Sequence, residues 1–532
     1  MPQTPRPANA QSHPDAELNT AFDVRRFGAV GDGTAKDTHA LQRAIDACHH
    51  AGGGCVVVPP GRYLTGTLYL KSHVHLHLQF GAMLHGSTER ADYNPDDVFP
   101  ENHMIPHENT TGAHLIIAYR QHDLAITGPG TIDGHSAGFF DMQPDPPLPN
   151  HYRYKTGSFR LRNWRPAQMV YFCLCRNITV RDVKLVNAPQ WTLFMHGCDD
   201  VQIRGLRITN PPATPNGDGI DIDCCRRVNV SDCIIRSGDD ALTLRGGTKR
   251  LGKYAQPCED ITVTNCVLST PCCAVRVGVG DGEIRRCTLS NIVVTEARTA
   301  VNMVCRWNTR QDHGARIEQV HFTDFVLDVC MPLVLIAGPS AIDPAYMRDV
   351  SFTRFRGDVS SGSQLVGSAE VPLQRIKLSD FDLHVRGGTD NTDFHAGIPE
   401  DILKVGYHGK AGHPALPCVF YGRYLEDSTF EDIRIRWSEP SPVWREGFFL
   451  DRVEQVKLDG LALRQPTDHA EGAAVRCRSS SRIHMAGCYA ERGSLTFMRM
   501  ESSPSDAQLR CMGNDFAEAE QPIVADVPIR EI

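Results

Sequence analysis

The chain has 532 residues, 41% of them apolar and 22% charged, a core-forming composition that excludes gross disorder. Its formal charge is 55 − 63 = −8 with histidine neutral, which is the wrong sign for partners bound by counterion release, so no nucleic acid partner and no anionic membrane surface is expected. No run approaches the roughly 20 apolar residues that a membrane span requires.

Met1 to His13 is rich in Pro, Gln and Ala and lacks the apolar core of a secretory signal, so residues 1–18 are expected to form a disordered tail. Gly28 to Gly33 reads as turns, because no strand-to-helix context and no following lysine makes it a phosphate loop. Asp37, as N-cap, precedes Ala40, Leu41, Ala44, Ile45 and Cys48, an amphipathic helical spacing that Gly52-Gly-Gly54 ends. Val56-Val-Val58 opens the strands, so residues 19–95 are expected to hold a small α/β cap and the first coils. Two long irregular stretches, 141–166 and 387–424, interrupt the strand rhythm of the remaining chain; loops of that length in a regular scaffold are functional walls or excursions.

From residue 96 to 532 one octad recurs: apolar residues at positions 1, 3, 6 and 8, and Asp, Asn or Gly at position 5. It runs over 178–185, 201–208, 228–235, 261–268, 287–294, 320–327, 376–383 and 456–463. The first start-to-start spacings are 201 − 178 = 23, 228 − 201 = 27, 261 − 228 = 33 and 287 − 261 = 26. Period-2 alternation repeated at that interval is a solenoid of short strands, not a helical repeat. Each octad predicts two strands meeting at the small polar residue, which tolerates the backbone of a tight corner. A third strand per coil lies between octads, as in Gly219-Ile-Asp-Ile222, Ala241-Leu-Thr-Leu244 and Ala274-Val-Arg-Val277. The predicted fold is all-β, a single-stranded right-handed parallel β-helix with a small N-terminal cap.

Aligning the third strands by their inward residues places Asp218 and Asp240 in one column, on adjacent coils about 4.8 Å apart. Asp239 stands beside them at the corner. Crowded carboxylates raise the pKa of at least one of their number, and a protonated acid beside an ionised base is the pair that glycoside hydrolysis needs. Asp221 and Asp223 alternate outward on the same strand and read as solvated residues or a lining of the cleft.

Asn216-Gly-Asp218-Gly and Ser237-Gly-Asp-Asp240 resemble the Asn-Thr-Asp and Gly-Asp-Asp motifs of glycoside hydrolase family 28, the polygalacturonase-like enzymes. Phe27-Gly-Ala-Val-Gly-Asp-Gly33 and Gly128-Pro-Gly-Thr-Ile-Asp-Gly134 are similar to the N-terminal region of that family. The resemblance implies an inverting hydrolase of polysaccharide or oligosaccharide O-glycosidic bonds, with Asp239 as general acid and Asp218 and Asp240 activating a water. It implies no cofactor and no metal. Two departures accompany it: Cys273 stands in place of an active-site histidine, and Asn302-Met303-Val304 in place of the uronate-gripping Arg-Ile-Lys. Arg276 and Arg245 are the cations expected to take over that grip, with Asn216 and Asn302 as further substrate-binding residues.

Trp191 falls in the column of Asp218, where its ring either stacks on a sugar or belongs to the core. Arg165, in Arg160-Leu-Arg-Asn-Trp-Arg165, either walls the cleft or lies on a basic surface loop; His196 reads as a corner histidine. Two other classes share such a scaffold: a Ca²⁺-dependent lyase or uronate epimerase using Arg245 or Arg276 as base, and a non-catalytic carbohydrate-binding β-helix. The nineteen cysteines show no zinc-ribbon spacing and read as reduced, buried thiols, which points to the cytoplasm.

Overall fold

Three short strands per turn bury one side chain in two, and stacking the turns closes the apolar faces into one core. The computed structural model describes residues 21–100, 111–145, 158–305, 314–338, 345–386, 418–438, 444–465 and 472–531. Among them, 39 strands join one continuous sheet wound as a right-handed parallel β-helix. Ile178, Val201, Val228 and Ile261 stack in one column, and Leu185, Ile208, Ile235 and Leu268 in the next. The third column runs Val170, Leu193, Ile220, Leu242, Val275 and Val301; its strands are called the cleft sheet below. All these residues are buried. Further along, Phe325, Phe355 and Phe381 stack with ring centroids 4.6 and 5.0 Å apart, which is the inter-coil spacing itself. All nineteen cysteines are free, and all but Cys55 are buried.

The fifth octad residue does turn the corner. Asp182, Asp232, Asn265, Asn291, Asp324 and Asp380 have φ between 56° and 62°, the left-handed region that Asp and Asn tolerate. The coil after Asp324 escaped the pattern because Arg354 occupies its corner, at φ 57°, and Gly357 its eighth position. The Arg354 guanidinium reaches back to the preceding coil, bonding Asp324 (2.5 and 2.8 Å) and Thr323 Oγ1 (2.8 Å), which offsets the backbone cost.

Helix α1 (Thr38–His50) buries Ala40, Leu41, Ala44, Ile45 and Cys48 against the first coil. Asp37 precedes it, but its carboxylate does not cap the helix. It accepts instead from Val30 N (2.6 Å) and Gly31 N (3.0 Å), so it ties the glycine turn to the helix start. The stretch expected to be irregular from 141 is partly ordered: Phe140–Asp145 and Ser158–Leu161 form an antiparallel hairpin outside the main sheet. Coil stacking resumes at Cys418–Arg423, six residues before the expected loop end at 424. The expected tail at 1–18 and most of the expected loop at 387–424 lie outside the described residues.

Candidate active site

The column that begins with Trp191 continues through Asp218, Asp240, Cys273 and Thr299, one residue per coil. Backbone bonds fasten it: Thr192 N to Asp218 O (3.1 Å), Gly219 N to Asp240 O (2.9 Å) and Ala241 N to Cys273 O (2.9 Å). The glycines beside the acids are required by close approach. A Cβ on Gly219 would sit 2.3 Å from Ala241 O, and one on Gly238 2.7 Å from Pro211 O. The Asp239 corner is pinned by Ser237 Oγ, which donates to Asp239 O at 2.6 Å, and by Thr270 Oγ1, which donates to the same oxygen.

Asp218 and Asp240 are each 5% exposed, while Asp239 is half-buried and so the most open of the three. Burial pushes the Asp218 carboxyl well above the usual range, and the charges of Asp221, Asp239 and Asp240 push it further. Its Oδ1 has no hydrogen-bond partner among the described residues. Asp240 is held from three sides: Cys273 N donates to Oδ1 (3.3 Å), Arg276 Nη2 donates to Oδ1 (3.2 Å), and Arg276 Nε donates to Oδ2.

The structure brings the expected cations to the site but gives them protein partners. Arg276, 2% exposed, also donates from Nη1 to Asn302 Oδ1 (3.0 Å) and from Nη2 to Cys273 Sγ (3.3 Å). Arg245, 5% exposed, reaches Asp221 Oδ1 at 3.3 Å and lies 5.5 Å from the ring centres of Trp191 and Phe194. Both guanidiniums expected to grip a substrate carboxylate are thus engaged by carboxylates of the chain. Arg165 is buried too, and it straps the loop that leads to Asp218. Its Nη1 donates to Pro189 O (3.0 Å) and Pro215 O (2.5 Å), and its Nη2 to Asn216 Oδ1 (3.0 Å). Burial lowers Arg165 to about 10, with Asp218 and Asp239 pulling the other way.

Two expectations change, those for Trp191 and for the pair Asp221 and Asp223. Trp191 is 1% exposed, packed with Phe194, Tyr171, Phe99 and Leu251, so its ring offers no open face to a sugar. Asp221 and Asp223 are not solvated: they are 0% and 1% exposed, Asp221 facing Arg245 and Asp223 accepting from Gly247 N (2.7 Å). His196 ends a cleft-sheet strand with no exposed surface, its Nδ1 3.2 Å from Tyr171 Oη and its Nε2 3.8 Å from Asp223. Sequence reasoning missed this buried charged row beside the acids. It also missed Arg298, whose Nη2 donates to Cys272 Sγ at 3.1 Å. The signal was there in the alternation, since outward Asp223 falls in register with Arg245.

Comparison with known proteins places the chain in a family. A model of glycosyl hydrolases family 28 matches residues 48–394, more than half of the chain and a range that contains all three acids. The chain belongs to glycosyl hydrolases family 28. This family 28 chain is 25% identical over 379 residues to a probable polygalacturonase of Vitis vinifera, a stretch that is 68% of this chain and 73% of the relative. Against a polygalacturonase of Malus domestica the identity is 27% over 237 residues, which span 43% of this chain and less than half, 45%, of that relative. The family 28 exopolygalacturonase of Yersinia enterocolitica shares the fold with a TM-score of 0.59 at 18% identity, covering 83% of this chain and 78% of that one. The hyperthermoactive exopolygalacturonase of Thermotoga maritima gives 0.54 at 22% identity, covering 69% and 87%. As a family 28 member the chain is a glycoside hydrolase with a polysaccharide substrate.

Proposed function

We propose that the enzyme hydrolyses a pectin-type polysaccharide or its oligosaccharides with inversion, Asp239 protonating the leaving oxygen and Asp218 and Asp240 flanking the attacking water. One observation carries this reading: Asp218 and Asp240 are stacked in register on adjacent coils with the more open Asp239 at their shared corner. This supports the reading, which needs one carboxyl open to a leaving group and two set to flank a water. The similarity to polygalacturonases supports a pectic main chain. Asn302 and Val304, with Arg276 and Arg245 already paired, support a sugar that is not held by its carboxylate at that end of the cleft.

A panel of pectic and neutral oligosaccharides, with the first-formed anomer followed by NMR, tests the reading. Inversion on a panel member is expected, and Asp239→Asn is expected to lower kcat by about 10²- to 10⁴-fold. A retained anomer, an unsaturated product absorbing in the ultraviolet, or full activity in Asp239→Asn would overturn it.

A further inference from the structure

Cys273 follows Asp218 and Asp240 in their column, and guanidinium groups surround its thiol. Arg276 lies one coil beyond the acids, outward on the cleft sheet, in register with Thr243. Its side chain folds back toward the preceding coil, beside Cys273, and meets Asp240 edge-on with both Nε and Nη2. A thiol is smaller than an imidazole, and the fork of Arg276 occupies the ground between Cys273 and Asp240.

We infer that Arg276 is a positioning residue for Asp240: seated on Cys273 and Asn302, it holds that carboxylate as an oriented anion beside the attacking water. The inference rests on the hydrolytic reading above. Four hydrogen-bond donations are placed on Asp240, Asn302 and Cys273, out of the five N–H groups that a guanidinium has. The bidentate edge that would recognise a substrate carboxylate is spent on Asp240.

The count on the acceptor side points the same way. A carboxylate offers about four lone-pair sites. Asp240 Oδ1 receives Cys273 N and Arg276 Nη2, and Oδ2 receives Arg276 Nε, so that among the described residues one site on Oδ2 is left to accept from a water. The pair is 2% and 7% exposed on its side chains, so water does not screen it. The positive charge of Arg276 is needed there, because Asp218 and Asp239 crowd the same corner and three uncompensated carboxylates so close together do not all stay ionised. Burial and the neighbouring carboxylates raise the Asp218 carboxyl, whereas Asp240 is the acid of the column that receives the guanidinium. A pair serving stability alone is often replaceable by apolar residues of the same volume; this one includes an acid of the catalytic column.

Kinetics on an oligosaccharide cleaved by the wild type test the role with Arg276→Gln and Arg276→Lys. For Arg276→Gln, kcat is expected to fall about a hundredfold while KM stays within about twofold. Arg276→Lys, which keeps the charge and loses the fork, is expected to recover about tenfold of that loss. A tenfold or larger rise in KM at unchanged kcat would make Arg276 a substrate clamp and overturn the inference. So would a lysine variant no better than the glutamine variant. Thermal unfolding supplies a reading independent of activity: Arg276→Gln is expected to lower the unfolding temperature, and adding Asp240→Asn to recover part of that loss. Additive losses would dismiss the clamp. If the wild type cleaves no oligosaccharide, the hydrolytic reading fails on its own, and the unfolding cycle still decides whether Arg276 and Asp240 are coupled.

Discussion

At the scale of single residues, position in a column and freedom to act from it are different properties. Trp191 and Asp218 share a column by register, yet the acid borders the cluster of carboxylates while the indole is sealed under Phe99, Leu251 and Arg245. Trp191→Phe is therefore expected to leave KM within about twofold and to cost about 1–2 kcal/mol of stability, because an aromatic-for-aromatic change removes less contact than truncation does. Steady-state kinetics alongside thermal unfolding check this, and a rise in KM with no loss of stability would restore the ring as a sugar platform. The acids were legible in the sequence because their motif residues sit two before an inward position, and that offset survives in the register. What was not legible is pairing. That Arg276 serves Asp240 and Arg245 serves Asp221 depends on side chains bending along the coil axis, which no spacing along the chain encodes.

At the scale of the coil, the corners explain why a simple octad revealed so much of the fold. Each corner needs a positive φ, and Asp and Asn meet it while bonding their neighbours above and below. Asn291 Nδ2 donates to Asn265 Oδ1 (2.7 Å), and Asn265 Nδ2 to Asp232 Oδ1 (3.2 Å), so side chains continue the ladder that the strands begin. A parallel row guards the preceding corner, where Arg227 holds Asp200 (2.6 and 3.1 Å), Arg286 holds Asp260 (2.7 and 3.1 Å) and Arg375 holds Asp349 (2.6 and 2.8 Å). At its head, His73 and Asp123 take the same left-handed backbone with their side chains 3.5 Å apart, two further rungs of that row. Such exposed pairs are worth about 0–1 kcal/mol each, so they align the corners more than they stabilise them. Where the corner residue is Arg354, the composition rule failed while the geometry held, and a coil was missed. Asn265→Val tests the corner itself: a β-branched residue at φ 56° is expected to lose about 1–2 kcal/mol, against a few tenths for Asn265→Gly. Equal losses in the two variants, measured by denaturant unfolding, would show that the ladder bond and not the backbone sets the cost.

At the scale of the molecule, length became one stack. The coil order continues beyond the family match at 394 through Cys418–Arg423, Glu446–Asp451, Ala473–Arg478 and Ser494–Glu501, all on the cleft sheet. A single core of this kind couples distant buried ionisable groups through one folding free energy, and two of them oppose each other. His196, with no exposed surface, is lowered by burial to about 4 from an ordinary 6.5, despite Asp223. Its folded form binds fewer protons than the unfolded chain, so its stability is present above pH 6.5 and lost as pH falls toward 4. Glu446, 1% exposed and 3.3 Å from Arg476, is raised to about 7 from an ordinary 4.5 because burial outweighs the arginine. Its stability is present below pH 4.5 and lost as pH rises through 7. Between pH 5 and 6.5 the two slopes, each about 1.4 kcal/mol per pH unit, cancel. Removing one group unmasks the other: relative to the wild type, Glu446→Gln is expected to gain stability from pH 5 to 6.5, and His196→Gln to lose it over the same interval. Unfolding temperatures of the wild type and both variants at pH 5, 5.75 and 6.5 would show the two differences from wild type running with opposite slopes. Three parallel lines would mean that neither group titrates out of step with the unfolded chain.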